Sequence, residues 1–367
     1  MFCLARKTLL FCMAMFMLAL SSACAEKDPG KDKSIKLSKR LEVLFQKTKL
    51  VCFGRYALEV PIDAQLIRGS QNIDIIKTQP EKLSFKINKD IEEIYFKDKT
   101  AEITYNKEGP IENSWQLRYY GGVFAKELNL FFFRTYITKR NITFIAGDSL
   151  RNGEKEEDVI NRQSVLAKNI RLRDEEEIPV GPGLCVEHGF LTEKIYKEQE
   201  IDNAGIYLPS LPDVTFSISS NKDAYGDYPP AEYDAKVRGK LSLLARIQEA
   251  KDQQGKNYPP RTLLREGKRD VQHWHGEESL IRRNDGVHDF EWTLVGTPRD
   301  IAYPAVLEAS MYTKVAHNMV GAAEAASLTD EEAIALWDKL LSGLKFRVKV
   351  PGAPPGSYYI DPDKPAQ

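Results

Sequence analysis

The apolar and polar positions of the chain fall into distinct blocks. Leu9 to Leu20 is an unbroken apolar run of twelve residues, preceded by Arg6 and Lys7 and followed by Ser21, Ser22, Ala23, Cys24 and Ala25. A short basic region, an apolar core and a small-residue stretch are the layout of a secretory signal peptide, here residues 1–24. Twelve apolar residues fall short of the roughly 20 that a membrane-spanning helix requires. Two processing readings stay open. Ala23-Cys24-Ala25 fits ordinary signal peptidase, whereas Ser22-Ala23-Cys24 resembles a bacterial lipobox that would leave Cys24 lipidated, with Ser21 where a lipobox usually carries Leu. Either route takes the protein to a bacterial envelope, trailed by a polar segment over residues 25–47.

The rest of the pattern occurs twice. Residues 156–173 and 330–347 each begin acidic, then carry apolar residues at helical spacing, such as Val159, Ile160, Val165 and Leu166 in one and Ile334, Trp337, Leu340 and Leu341 in the other. Each helix breaks at Asn169 or Gly343 and passes into a strand-like basic–apolar alternation ending in Arg173 or Arg347. Thr329 and Glu332 form a capping box for the second helix. The beginnings also correspond: Cys52-Phe-Gly54-Arg-Tyr56 and Cys185-Val-Glu-His-Gly189-Phe190 each set a Cys shortly before a Gly and an aromatic. Between these landmarks, Trp115 to Tyr120 and Leu128 to Ile137, and later Phe290 to Leu294 and Ala305 to Val315, read as strand, turn, strand. Ala231 to Ala250 reads as one amphipathic helix after Pro229-Pro230.

The pattern predicts an α+β fold of two related domains, each an antiparallel sheet with packed helices. The first covers 48–173 and the second 184–350, with an acidic Pro/Gly-rich linker over 174–183 and a Pro-rich tail over 351–367.

Composition sharpens this in two places. The chain has 367 residues with 52 basic and 53 acidic side chains. Loss of Arg6 and Lys7 with the signal leaves 50 against 53, a net charge of −3, which argues against nucleic acid as partner. Of the five cysteines, Cys52 and Cys185 lie beyond the signal region, alongside Cys24 if it is retained. In an oxidising compartment such a pair either forms a disulfide or is two buried thiols, and both readings are open.

Catalytic motifs do not emerge. There is no G-x-S-x-G, Walker loop, dinucleotide fingerprint, H-E-x-x-H or C-x-x-C. His273-Trp274-His275 could place two imidazoles on one face of a strand, but no third ligand suggests itself, and a half-exposed strand with one buried Trp explains it. Asp148-Ser149 sits in a run rich in turn formers, and Glu154 to Asp158 lacks the spacing of a Ca²⁺ loop and suits a helix N-terminus. No metal, cofactor or catalytic residue is therefore expected. Tyr225, Asp227 and Tyr228, in a Gly/Pro-rich loop, are candidate contact residues, as are Tyr119, Tyr120 and Phe124 around the Gly121-Gly122 turn.

The envelope signal, the Cys52 to Pro61 opening, the second opening Gly183 to Phe190 and the Trp292 to Arg299 region together resemble the two-domain immunity proteins of type VI secretion lipase effectors. The resemblance spans roughly residues 48–350. It implies a periplasmic, non-catalytic inhibitor that binds a cognate phospholipase effector, with its two domains set like prongs of a clamp. Any membrane attachment would run through a lipidated Cys24. A Cys52–Cys185 bond would then hold the prongs together. An envelope lipoprotein with a scaffolding role is the alternative, and a hydrolase using Asp148 and Ser149 or the His273 and His275 pair is a third reading.

Overall fold

The computed structural model describes residues 36–364, apart from 72, 78, 79, 152, 195 and 198. The signal peptide and Cys24 lie outside the described residues. In chain order the first half comprises helix α1 (Lys39–Leu44), strands β1 (Thr48–Phe53), β2 (Tyr56–Pro61), β3 (Gln65–Gln71) and β4 (Ile73–Lys77), and helix α2 (Pro80–Lys97). Strands β5 (Glu102–Glu108) and β6 (Ser114–Tyr120), the short helix α3 (Val123–Glu127), and strands β7 (Phe131–Lys139) and β8 (Ile142–Ser149) follow. Helix α4 (Glu156–Asn169) and strand β9 (Ile170–Leu172) close this half.

The second half opens with β10 (Gly183–Val186) and β11 (Gly189–Thr192), then β12 (Ile201–Tyr207) and β13 (Thr215–Asn221). After helix α5 (Leu243–Gln254) come β14 (Arg261–Val271), β15 (Trp274–Arg283), β16 (His288–Val295) and β17 (Val306–Tyr312). A small hairpin, β18 (Val315–Ala316) and β19 (Met319–Val320), precedes helix α6 (Asp330–Ser342) and strands β20 (Leu344–Val348) and β21 (Tyr358–Ile360).

The five-stranded antiparallel sheet β4-β8-β7-β6-β5 carries a helix on each face. Period-two alternation sends Leu117, Tyr136 and Ile145 toward Ile87 and Leu83 of α2. It sends Phe131 and Phe133 toward Val159 of α4. The Phe131 to Phe133 run is thus strand core, although Leu130 before it is exposed. The seven-stranded sheet β14-β15-β16-β17-β13-β12-β3 is covered by α6, whose Trp337 meets Phe216 and Phe290. Thr329 caps α6 with Glu332 in reciprocal hydrogen bonds. Two details differ from expectation. The Gly121-Gly122 turn holds α3, and the single helix expected over 231–250 is broken. Tyr233 and Arg238, five positions apart, both reach the Gly296 carbonyl, at 3.3 and 2.6 Å, and a π-helical turn spans them. Ser242, with Glu277, then caps a new helix at Leu243.

The halves exchange strands. The β1–β2 hairpin at the start of the chain pairs with β20 from its end, in the sheet β1-β2-β20-β21. The β10–β11 hairpin that opens the second half pairs with β9, which closes the first. These units match in register. Cys52 faces Ala57 as Cys185 faces Phe190, and Arg347 N–H donates to Arg55 O as Arg173 N–H donates to His188 O. Reciprocal bonds between Gly54 and Cys185, at 2.9 and 2.8 Å, join the two hairpins. Strand β3 also crosses over, adding to the second half's sheet beside β12. The residues flanking the expected domains are built in as well. Leu41 of α1 is fully buried, and β21 lies parallel to β20 within the Pro-rich tail.

Candidate interaction surfaces

At the junction of the exchanged strands, Cys52 and Cys185 are joined by a disulfide with Cα atoms 5.9 Å apart. The linker beside it is pinned by two buried arginines. Arg173 donates to the carbonyl oxygens of Asp174, Glu175 and Glu177, all near 3 Å. Arg347 donates to those of Pro179, Gly181 and Gly183. Burial, then Arg55, Arg173 and Arg171 nearby, pushes the Arg347 pKa down to about 10. Beneath Gly54 lies Asp202, whose carboxyl is raised to about 7 by burial first and Glu200 next, against the opposing pull of Arg55 and Arg68. Glu200 itself is paired with Arg55 through two contacts of 2.6 and 2.8 Å.

Asp202 and Glu200 form one wall of a cleft of about 570 Å³ running toward α4, with Leu166, Leu184 and Leu191 as apolar lining. Asp148 and Ser149 lie on this cleft, at the end of β8 rather than in a turn. Asp148 is bound to Arg162, which also holds Glu154 at 2.6 Å. Among the described residues lining the cleft there is no histidine. Glu156, Glu157 and Asp158 occupy the first turn of α4, where the helix dipole favours them.

The two histidines of His273-Trp274-His275 do not face together. His273 is buried in the turn before β15 and Trp274 is its fully buried neighbour; both ring N–H positions meet the Ala302 carbonyl. His275 is exposed against Asp270 at 2.9 Å. Burial lowers the His273 pKa, as a packed core imidazole requires.

The contact candidates divide. Tyr119 is half-buried and stacked on Phe132 at 5.5 Å, packing toward α2, while Tyr120 turns to the other face against Phe131 at 4.6 Å. Phe124 is 67% exposed on α3. The apolar surface that sequence reasoning missed surrounds it in the chain: Val123, Leu128 and Leu130 are also exposed. Gly122 starts α3 tight against Asp98, and Thr100 accepts the Val123 N–H, so the loop after α2 fixes the helix's position. Tyr225 and Tyr228 are exposed, with Asp227 between them, in a turn where Tyr225 has φ 60° and packs against Tyr233.

Two family models match the chain. The N-terminal domain of Tle cognate immunity protein 4 matches residues 49–173, and its C-terminal domain matches residues 177–349. The chain belongs to the Tle cognate immunity protein 4 family. Solved structures of similar fold include the type VI secretion immunity protein TplEi of Pseudomonas aeruginosa, at 20% identity and TM-score 0.60, covering 82% of this chain and 97% of that one. TplEi complexed with an "L" peptide matches with TM-score 0.58 at 20% identity, over 82% and 99% of the two chains. The Tle4–Tli4 complex contributes a chain at 21% identity and TM-score 0.60, over 82% and 97%. No curated protein sequence matches significantly. The family boundary at 173–177 falls in the linker that Arg173 holds. The two family matches divide this immunity protein at the same place as the repeat in its sequence.

Proposed function

We propose that this immunity protein neutralises its cognate Tle phospholipase by tight stoichiometric binding in the periplasm, with no catalytic step of its own. The match of both family domains across residues 49–349 carries the reading. Its site chemistry agrees, since Asp148 is committed to Arg162 and the two histidines around Trp274 are separated by burial. The periplasm is where a secreted inhibitor meets a lipase that attacks membrane lipids, and residues 1–24 supply the export signal. No helix among the described residues is long and apolar enough to cross a membrane, so anchoring would fall to Cys24.

The halves would engage the effector as two prongs, with Phe124 and its apolar neighbours on one and Tyr225 and Tyr228 on the other. The disulfide, the linker bonds and the strand exchange pre-organise such a surface and lower the entropy lost on binding. Co-expression with the lipase-type effector made by the same cell tests the reading. Survival is expected. Cell death with this protein present in the envelope overturns it.

A further inference from the structure

The cleft beside α4 holds two buried acceptors that the fold leaves unanswered. Its volume of about 570 Å³ falls within the range of small-molecule sites. One side of it is apolar. Ile73 and Leu191 are nearly buried there, and Leu166 and Leu184 pack against them with part of their surface open. The other side carries Asp202.

Asp202 is 6% exposed and has no ion pair among the described residues. Its one hydrogen bond comes from Gln71 Nε2 at 3.4 Å, the weak end of the range. Gly54 covers it, since a Cβ there would lie 1.9 Å from Oδ2. The nearby cations are committed elsewhere. Arg55 is closed on Glu200 by two contacts, and Arg68 gives its guanidinium to Glu175 and to the Cys52 and Cys185 carbonyls. With each of these groups charged, one negative charge has no counterpart. A buried carboxylate in that position is costly, and a cation entering the cleft removes the cost.

Gln163 of α4 gives a second, independent observation. It is 3% exposed and lines the same cleft. Its Nε2 donates to Asp148 Oδ2 at 3.4 Å, which sets the direction of the amide. Its Oε1 is buried without a hydrogen-bond partner among the described residues. A buried acceptor of this kind calls for a donor. Both unanswered groups accept and neither donates, so the ligand that suits them brings donors and a positive charge.

We infer that the cleft binds a cationic amphiphile, with a primary ammonium group paired with Asp202 and an aliphatic chain laid along Ile73, Leu166, Leu184 and Leu191. Gln163 Oε1 takes a hydroxyl or amide N–H of the same ligand. A polyamine suits the site less, because its spaced charges would leave water for an apolar wall. A fatty acid would set its carboxylate against Asp202. Free alkylamines and ethanolamine lysolipids share the required chemistry. The site is separate from the effector contact surface, and the inference does not rest on the immunity reading.

The test is calorimetry on the mature protein at pH 8, below the micelle concentration of each probe. The probes are decylamine and a short-chain lysophosphatidylethanolamine, with decanol and decanoate as controls. At least one ammonium probe is expected to bind one-to-one, with both controls about tenfold or more weaker. Binding of decylamine alone would support a free amine as the ligand, and binding of the lysolipid alone an ethanolamine lipid. Asp202→Asn, which keeps the shape and loses the charge, should weaken the bound probe about tenfold or more with an unchanged circular dichroism spectrum. Leu166→Trp keeps the carboxyl and fills the apolar side, and it should weaken binding as well. Gln163→Leu should weaken the hydroxyl-bearing lysolipid and not decylamine; the reverse would overturn the role of Gln163. One-to-one binding of neither ammonium probe overturns the inference. So does decanol binding as tightly as decylamine, or wild-type affinity in either Asp202→Asn or Leu166→Trp.

Discussion

Arg173 and Arg347 occupy equivalent places in the two halves and hold the same linker from opposite ends. Each sits at or just beyond the last residues of a closing strand, is buried, and donates from its guanidinium to main-chain carbonyls between residues 174 and 183, Arg173 reaching also the Val186 and Gly189 carbonyls and the Glu175 carboxylate. The acidic side chains of the linker serve mostly at its edge, as where Glu175 meets Arg68 at 3.0 Å. Removing Arg347 as Arg347→Met would strand three carbonyls away from water. A loss of about 3 kcal/mol or more is expected in urea unfolding. Arg347→Lys should not recover it, because one ammonium cannot span the fork that a planar guanidinium covers.

The disulfide closes a sequence separation of 133 residues. Loop-closure entropy for a link of that span is worth roughly 5 kcal/mol, and native proteins usually show 2–5. Reduction, or Cys52→Ala/Cys185→Ala, should lower the unfolding free energy within that range. Mass spectrometry of unreduced, alkylated protein should find both thiols unlabelled; labelling of either would contradict the bond.

Asp202 has a folded-state pKa of about 7, well above its unfolded value near 3.9. Its contribution is therefore fully present below about pH 4 and is lost as pH rises toward about 7. Asp202→Asn should be more stable than wild type at pH 8, by up to about 4 kcal/mol, and close to it at pH 4. Parallel urea titrations at the two pH values check this. Equal differences at both would show that Asp202 does not carry the proton.

Gly276 faces the Trp292 ring, and a Cβ there would lie 2.5 Å from the indole. Through that gap Trp292 Nε1 donates to the Arg269 carbonyl at 2.9 Å. Gly276→Ala should displace the indole and cost about 1–3 kcal/mol. Near-ultraviolet circular dichroism should report the moved ring.

Phe124 and Tyr119 were equal candidates in the sequence, and the structure separates them. Phe124→Ala should weaken effector binding by about 1–2 kcal/mol without a change in melting temperature. Tyr119→Ala should lower the melting temperature first, because its ring is packed between α2 and Phe132. The reverse pattern would remove α3 from the contact surface.

Much of this was legible in the chain because periodicity and capping are local. The acidic starts of α4 and α6, the Thr329–Glu332 box and the strand nature of Trp115 to Tyr120 follow from neighbouring residues alone. The break at Ser242 was not, since it depends on Glu277 and on the Gly296 carbonyl far along the chain. Strand partners were also beyond reach. The closing strands repeat so well that nothing in Ile170 to Arg173 or Leu344 to Arg347 says which hairpin each will join. The candidate surface was half legible. Phe124 stood out as an aromatic beside a Gly-Gly turn, whereas Val123 and Leu128 carry no mark until their exposure is seen.

The pairing of β2 with β20 has a consequence for how the protein is made. The hairpin formed by residues 48–61 has no neighbour at β2's outer edge until residues 344–348 arrive. Synthesis delivers the chain from its N-terminus, so the first hairpin must wait with an open edge until nearly the whole polypeptide has emerged. Such long-range closure is slow and leaves a sticky strand edge on show. It also makes protection all-or-none with respect to synthesis. A chain cut short before its last helix and strand leaves the first hairpin without its partner, so each half depends on strands that the other supplies.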